Sequence, residues 1–335
     1  MVFLVYRGYA LTTSTSTPSS WTSTSGTSQS LNWGVKDAGT YYVWAKDKAG
    51  NTGYKAVTVS KANGSGSVSM TGWTYGNTAN DPSYSSSTNG TSNVTINYKV
   101  SGAADSTYSG TKPSTAGNYV IRAVFATTTN YNSVTATNTF TIAKATPTVT
   151  LSPTSASVYY NSTNEFLAQA NVTGTLKATS ADSTYVSITQ GGSDTSVSAN
   201  TNTTIKYAGV QERTSSLNIT VSFTPTDTTN YNNASATFVV NAVDPATYTI
   251  EYYQGTSKFA TTSTHTVNVA KDLTTYSALG GSAPSTWTFE GWSANNGTTQ
   301  TSKKYTDGQS VTNLATTNGS TIKLYAVFNH KNKAC

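Results

Sequence analysis

One pattern in this chain is written twice, and it constrains the fold more than any other feature. Phe125-Ala-Thr-Thr-Thr-Asn-Tyr131-Asn leads into Thr139-Phe140-Thr141-Ile142, and Phe223-Thr-Pro-Thr-Asp-Thr-Thr-Asn-Tyr231-Asn leads into Thr237-Phe238-Val239-Val240. Each copy is an alternating strand, an Asn-Tyr-Asn connection and a second alternating strand, followed by a run of small residues. Alternation with period two places one side chain set on a core face and the other towards solvent. A hairpin that recurs just before a linker marks the closing edge of a repeated module. The chain therefore reads as all-β modules in tandem.

Composition decides whether such polar modules fold. Only 10% of the 335 residues are charged, with Ser, Thr, Asn and Gly in their place. Disordered chains lack aromatic and β-branched residues, whereas this one has 22 Tyr, 9 Phe and 6 Trp. Thr serves here as the solvent-facing β-former. The net charge of +6 comes from scattered Lys, and Arg occurs only at Arg7, Arg122 and Arg213. A nucleic-acid binder concentrates cations in a stripe, with Arg to grip phosphate, so nucleic acid is not an expected partner. Cys335 is the single cysteine, which removes a disulfide framework and a thiolate metal site. Val2–Tyr6 is too short for the apolar core of a signal peptide, and no run approaches the ~20 apolar residues of a membrane span. An extracellular chain of this kind is expected to be an interior piece of something longer, with export signal and anchor elsewhere.

Four modules and a tail follow in order. Residues 1–62 begin with a strand, Phe3–Arg7, then a Ser/Thr-rich stretch around Pro18 and Trp21, then Asp37-Ala-Gly39-Thr-Tyr41-Tyr-Val-Trp44-Ala. The segment is short for a whole sandwich and is expected to be an immunoglobulin-like module truncated at its start. Residues 63–145 repeat the plan, with Ala116-Gly-Asn-Tyr119 matching Ala38-Gly-Thr-Tyr41. A Tyr entering a strand beside a tight turn suits a corner, its ring buried and its hydroxyl on backbone. Tyr119, Ile121, Ala123 and Phe125 then share one face. Residues 146–243 carry Leu217, Ile219, Val221 and Phe223 in the equivalent strand, with Ser215-Ser216 where the corner stood. Residues 244–329 change pattern: Tyr248, Ile250 and Tyr252 alternate, Val267–Val269 reads as a second strand, and Phe289-Glu-Gly291-Trp292 precedes a closing strand with Leu324, Ala326 and Phe328. Residues 330–335 read as a solvated tail.

These motifs carry resemblances. Trp73-Thr-Tyr-Gly with Pro82, Ala-Gly-Asn-Tyr119, Asn-Tyr131-Asn and Thr139-Phe-Thr-Ile-Ala-Lys-Ala resemble the MBG-type repeat of bacterial, Gram-positive-type surface proteins. Phe223 to Asn232 resembles the bacterial immunoglobulin-like repeats found beside it, and Gly39 to Asn51 is similar to the last strands of others. Phe-x-Gly-Trp292, then Tyr305-x-x-Gly308, then Leu324-Tyr-Ala-x-Phe328 resembles the Listeria–Bacteroides repeat, the internalin B-type module, with Phe328 where Trp is common. The resemblances imply immunoglobulin-like β-sandwiches followed by a small β-grasp-like module, in the stalk of a cell-surface protein.

Chemistry is scarce. His265 falls in a strand and His330 in the tail, neither with an Asp, Cys or second His at ligand spacing. Ser is abundant, but no Gly-x-Ser-x-Gly elbow is present. Glu251 and Glu290 share a module, yet both alternate with apolar neighbours and read as solvent-facing. No phosphate loop and no calcium-binding Asp run occurs. No catalytic, cofactor-binding or metal residue is therefore expected. The expected structural core is Tyr41; Tyr119, Ile121, Phe125 and Phe140; Ile219, Phe223 and Phe238; and Phe289, Gly291, Trp292 and Leu324. Gly291 is expected to bulge, swinging Trp292 onto the face of Phe289.

Two binding ideas remain beside a pure spacer. Exposed rings at Tyr41-Tyr42, Tyr159-Tyr160 or Tyr252-Tyr253 would stack on a sugar, although in small sandwiches one ring of each pair normally fills the core. A Lys–Asn amide crosslink needs an acid buried with both partners, and Glu165 and Glu212 are the only glutamates in the three sandwiches. The function expected is a non-enzymatic extracellular stalk on a bacterial surface; the alternative is an adhesin that itself binds a surface glycan or a host or cell-wall protein.

Overall fold

Strict alternation of Thr, Ser and Asn with aliphatic residues produces strands with one dry face. In Leu217–Pro225 every second residue is buried and every intervening one exposed, and in Gly117–Phe125 the residues Tyr119, Ile121, Ala123 and Phe125 are all buried. The computed structural model describes residues 6–26, 28, 30–296 and 304–330. Across these the chain is all-β, with one 3-10 turn at Asp105–Thr107. Phe3–Val5 and residues 331–335 lie outside the described residues. Two compact units divide the chain, Met1–Ala145 and Thr146–Cys335.

The first unit contains two sheet systems. Residues 6–59 form one four-stranded sheet, in the order Thr22–Gly26, Tyr6–Thr12, Gly39–Asp47, Thr52–Val59. No second sheet faces it among the described residues. Downstream, Trp73–Thr74, Val134–Ala143, Gly117–Phe125 and Val94–Val100 form a second four-stranded sheet. The pair Ser67–Ser69 and Ser83–Ser85 packs against it. Val68, Met70, Tyr98, Tyr119, Ile121, Phe125, Phe140 and Ile142 make the core between them.

The second unit opens with a two-layer sandwich. One layer runs Val149–Ser152, Thr163–Ala170, Thr203–Gly209, Val186–Gln190; the other runs Ser155–Tyr159, Ala234–Asp244, Leu217–Pro225, Gly174–Ser180, Thr195–Val197. Phe166 and Phe238 stack between the layers at 4.2 Å. Then a mixed sheet follows in the order Ser257–Thr266, Thr247–Gln254, Ser320–His330, Trp287–Ser293. Its two central strands are parallel, so the chain must cross over between them. That crossover covers the core face with Leu273, Tyr276 and Leu279.

Several expectations change in three dimensions. Val267 is buried but lies in the turn after Ser257–Thr266, where Asn268 takes φ 66°; the second strand of this module is the polar segment before it. His330 ends the last strand opposite Trp287 rather than starting a tail. The run Asn241–Pro245, which reads as the linker closing residues 146–243, is strand as far as Asp244, with Val243 buried and bonded in both directions to Arg213. Tyr41 is half-buried, and Trp44 is the buried ring of its strand.

Candidate functional site

The connections between modules hold long-range polar contacts that bear on function, and the first of them is built on the Asn-Tyr-Asn loop. Ala62 pairs in parallel with Tyr131. Its N–H donates to the Asn130 carbonyl and its carbonyl accepts from the Asn132 N–H, both at 2.9 Å. Lys61 Nζ donates to the Thr128 carbonyl at 2.6 Å and to Thr127 Oγ1 at 3.0 Å. The upstream linker is thus seated in the hairpin loop of the module that follows it. Asn130 reaches further back: it accepts from the Ala38 N–H at 2.7 Å and donates to Asp37 Oδ1 at 2.9 Å.

In the second unit the corresponding loop makes a side-chain contact of this kind. Asn232 Nδ2 donates to Thr146 Oγ1 at 3.2 Å, which ties the start of the sandwich to its own closing loop. Asp227 organises that loop, accepting from the Thr229 and Asn230 N–H groups and from Asn230 Nδ2. At the far end, Tyr160 packs against the sandwich core and against that of the mixed sheet. Its N–H donates to the Asp244 carbonyl at 2.7 Å, and Asn161 Nδ2 donates to the Thr316 carbonyl at 3.3 Å. Asn amides supply both donor and acceptor without a charge, which accounts for junctions built in a chain with so few ions.

The titratable groups are dispersed or sealed. Among the described residues no three His, Cys, Asp or Glu side chains converge as a metal site would require. His265 is fully buried, its Nε2 3.1 Å from Ser263 Oγ, which lies 3.0 Å from the Tyr252 hydroxyl. Its Nδ1 has no hydrogen-bond partner among the described residues, so no carboxylate orients the ring as in a Ser-His-Asp triad. Burial, and secondarily Lys271, holds the imidazole below its ordinary value. Glu251 is held below the usual carboxylate range by Lys258 and then by the Tyr253 hydroxyl. The Lys206–Glu165 pair is solvent-exposed at 3.8 Å, not the dry setting of a Lys–Asn crosslink.

The expected core residues fall as follows. Tyr119, Ile121, Phe125 and Phe140 lie in one cluster; Ile219, Phe223 and Phe238 in a second; Trp292 and Leu324 in a third, with half-buried Phe289 against it. The register shifts between Phe289 and Gly291, whose φ is 145°, and the Trp292 ring then sits 5.1 Å from that of Phe289. Sequence reasoning missed Tyr276, which stacks on Phe289 at 4.2 Å from a turn. It also missed the buried Tyr207, whose strand carries Thr, Lys and Ala around it.

Surface depressions are shallow. One of 260 Å³ is lined by Gly255, Pro284, Trp287, Ala326 and Phe328. A second, of 420 Å³, includes Tyr185, Glu212 and Arg213, with the guanidinium over the Tyr185 ring at 4.8 Å. A third, of 430 Å³, lies on the first sheet beside Val43, Ala45 and Gly53.

No helix among the described residues is long and apolar enough to cross a membrane. No family model and no curated protein sequence matches the chain. Among solved structures, domains 4 and 5 of the S-layer protein SbsC overlap 60% of this chain and 90% of their own, at 17% identity and TM-score 0.22. The longer SbsC fragment 31–844 overlaps 97% of this chain and 43% of its own, at 14% identity and TM-score 0.23. The alpha-2-macroglobulin of E. coli overlaps 64% of this chain and 20% of its own, at 9% identity and TM-score 0.23. At these TM-scores the likeness assigns neither a family nor a role.

Proposed function

We propose that this chain is a non-enzymatic, extracellular spacer of a bacterial surface protein, which holds a distal functional part away from the cell. The observation that carries the reading is the seated linker: Ala62 is hydrogen-bonded in both directions by the Asn-Tyr-Asn loop, while Asn130 ties back to Asp37 and Ala38. A chain that must transmit position or load needs such joints. The modules of this spacer are residues 1–62, 63–145, 146–243 and 244–329, the second of MBG type and the last a Listeria–Bacteroides repeat. Support for those types comes from the motifs around Trp73, Tyr119, Tyr131, Trp292 and Leu324. Ser, Thr and Asn surfaces without ionic patches suit an exposed wall environment of varying salt, where ion pairs are screened. No cofactor enters the proposal, and its partners are its own neighbouring modules.

A second reading, an adhesin, is favoured by one observation: Trp287 is 39% exposed beside Phe328 and Pro284 in the 260 Å³ depression. An exposed indole face stacks on apolar sugar faces. A glycan array with mucin pull-down separates the two readings. The spacer reading expects no saturable binding; binding abolished by Trp287→Ala, with the fold intact, would replace it by the adhesin.

A further inference from the structure

The two residues that follow the seated linker are clamped at both ends and bonded at neither. Ala62 is bonded in both directions by the Asn-Tyr-Asn loop. Ser65 donates its N–H to Thr88 Oγ1 at 2.7 Å, and its carbonyl accepts from Ser86 Oγ at 2.6 Å. Between these anchors lie Asn63 and Gly64, and neither makes a hydrogen bond among the described residues. The Asn63 side chain is exposed. In an Asn-Gly pair the glycine has no Cβ to keep its backbone nitrogen away from the Asn carboxamide.

The chain carries this pair at Asn63, Asn89, Asn296 and Asn318. Gly297, which follows Asn296, lies outside the described residues. Asn89 and Asn318 are held where Asn63 is not. Asn89 Nδ2 donates to the Ala126 and Asn132 carbonyls at 2.8 and 3.0 Å, and its Oδ1 accepts from Thr88 Oγ1 at 2.7 Å. Asn318 Oδ1 accepts from the Thr247 N–H at 2.9 Å, and the Gly319 N–H donates to the Thr247 carbonyl at 2.8 Å. In both, bonds must break before the carboxamide can turn towards the nitrogen that follows it.

We propose that Asn63 is a self-modifying site, whose side chain closes on the Gly64 nitrogen and whose product unseats the linker. The Gly64 nitrogen gives its proton to water and bonds to Asn63 Cγ; the Cγ–Nδ2 bond breaks, and the amide takes up a proton and leaves as ammonia. Water then opens the five-membered imide at either carbonyl. Breaking the bond from nitrogen to Cγ yields aspartate. Breaking the bond from nitrogen to the main-chain carbonyl carbon yields isoaspartate, whose chain runs through Cγ and is longer by one methylene. Water is the only co-reactant, and nothing is oxidised or reduced. The longer chain has no room here, because a Cβ on Gly64 would lie 2.3 Å from Asn89 Oδ1 and 2.8 Å from the Asn132 carbonyl oxygen. The added methylene and the new carboxylate push against the same loop that seats Ala62. This chemistry does not depend on the spacer reading; in a spacer it limits the lifetime of the first joint.

The test incubates the full chain at mildly alkaline pH, beside a sample unfolded in urea, and follows each Asn-Gly peptide by mass spectrometry. In the folded chain Asn63 should gain one mass unit and become a substrate for an isoaspartyl methyltransferase. It should do so at least about ten times faster than Asn89 and Asn318, since a held site reacts only in the fraction of time it stands open. In urea the three should react at like rates. Amide exchange in the peptides carrying Ala62 and Asn132 should speed up in step with the change at Asn63. Asn63→Gln, at an exposed and unbonded position, should fold normally and show neither change. Conversion of Asn89 or Asn318 as fast as Asn63 in the folded chain, or conversion of Asn63 only in urea, would overturn the site. Conversion of Asn63 with exchange unchanged at Ala62 and Asn132 would overturn its effect on the joint.

Discussion

The Asn130 side-chain amide donates to the Asp37 carboxylate at 2.9 Å, across 93 residues of sequence. The same amide accepts from the Ala38 N–H, so one side chain holds both the acid and the backbone of the turn before Gly39–Asp47. A double-mutant cycle of Asn130→Ala and Asp37→Ala should give a coupling of about 0.5–1 kcal/mol, as for a partly exposed hydrogen bond. Urea melts read by fluorescence supply the four stabilities. Strict additivity of the two substitutions would remove this contact from the joint.

Corner tyrosines should divide by burial. The Tyr119 hydroxyl donates to the Thr115 carbonyl and the Tyr41 hydroxyl to the Asp37 carbonyl, both at 2.9 Å. Tyr119→Phe and Tyr41→Phe should each cost about 0.5–1.5 kcal/mol. Tyr119→Ala should cost about 3–5 kcal/mol because its ring is packed in the core, and Tyr41→Ala clearly less because its ring is half-exposed. Thermal melts of the four variants check the order.

Acid should loosen the last module through His265. The unfolded chain titrates near 6.5, while burial holds the folded imidazole lower. Between those values the unfolded state binds a proton that the folded state refuses, so stability is complete above about pH 6.5 and falls as pH drops below it. Urea midpoints for the transition of residues 247–330 should decline from pH 7.5 to pH 5 in the wild type and decline less in His265→Gln. Parallel pH profiles would show that His265 takes no part.

Trp292 is fully buried against Tyr252, Phe259, Tyr276 and Phe289. Trp292→Ala should cost about 3–5 kcal/mol, a large share of the ~5–15 kcal/mol that stabilises a domain. Calorimetry should lose the transition of the mixed sheet and keep the others, because modules in an array share only neighbour interfaces.

Legibility of the fold followed the strength of alternation. Leu217–Pro225 and Gly117–Phe125 show a clean period, and their buried faces match it residue by residue. Ser257–Thr266 does not: its Thr and Ser positions are β-formers that carry no apolar signal, so apolar Val267 and Val269 drew the strand one segment too late. Tyr41 and Tyr119 share one motif, yet Tyr119 packs in a core with Val68, Met70 and Phe140, whereas no second sheet faces Tyr41 among the described residues. Tyr276 sits in Thr-Thr-Tyr-Ser-Ala-Leu-Gly-Gly, which reads as loop, but a parallel central pair forces that crossover onto the core face. The junctions were the least legible part. Asn-Tyr-Asn was visible as a repeat, while its service as a seat for Ala62 depends on contacts some 70 residues away, which no local pattern encodes.

The spacer account is tested most directly by pulling the whole chain from both ends in single-molecule force spectroscopy. It predicts discrete, sequential unfolding events, the sandwich of residues 146–243 releasing on the order of 30 nm, with Asn130→Ala lowering the force of the earliest event. Smooth extension without force peaks, or one collapse of all modules together, would contradict it.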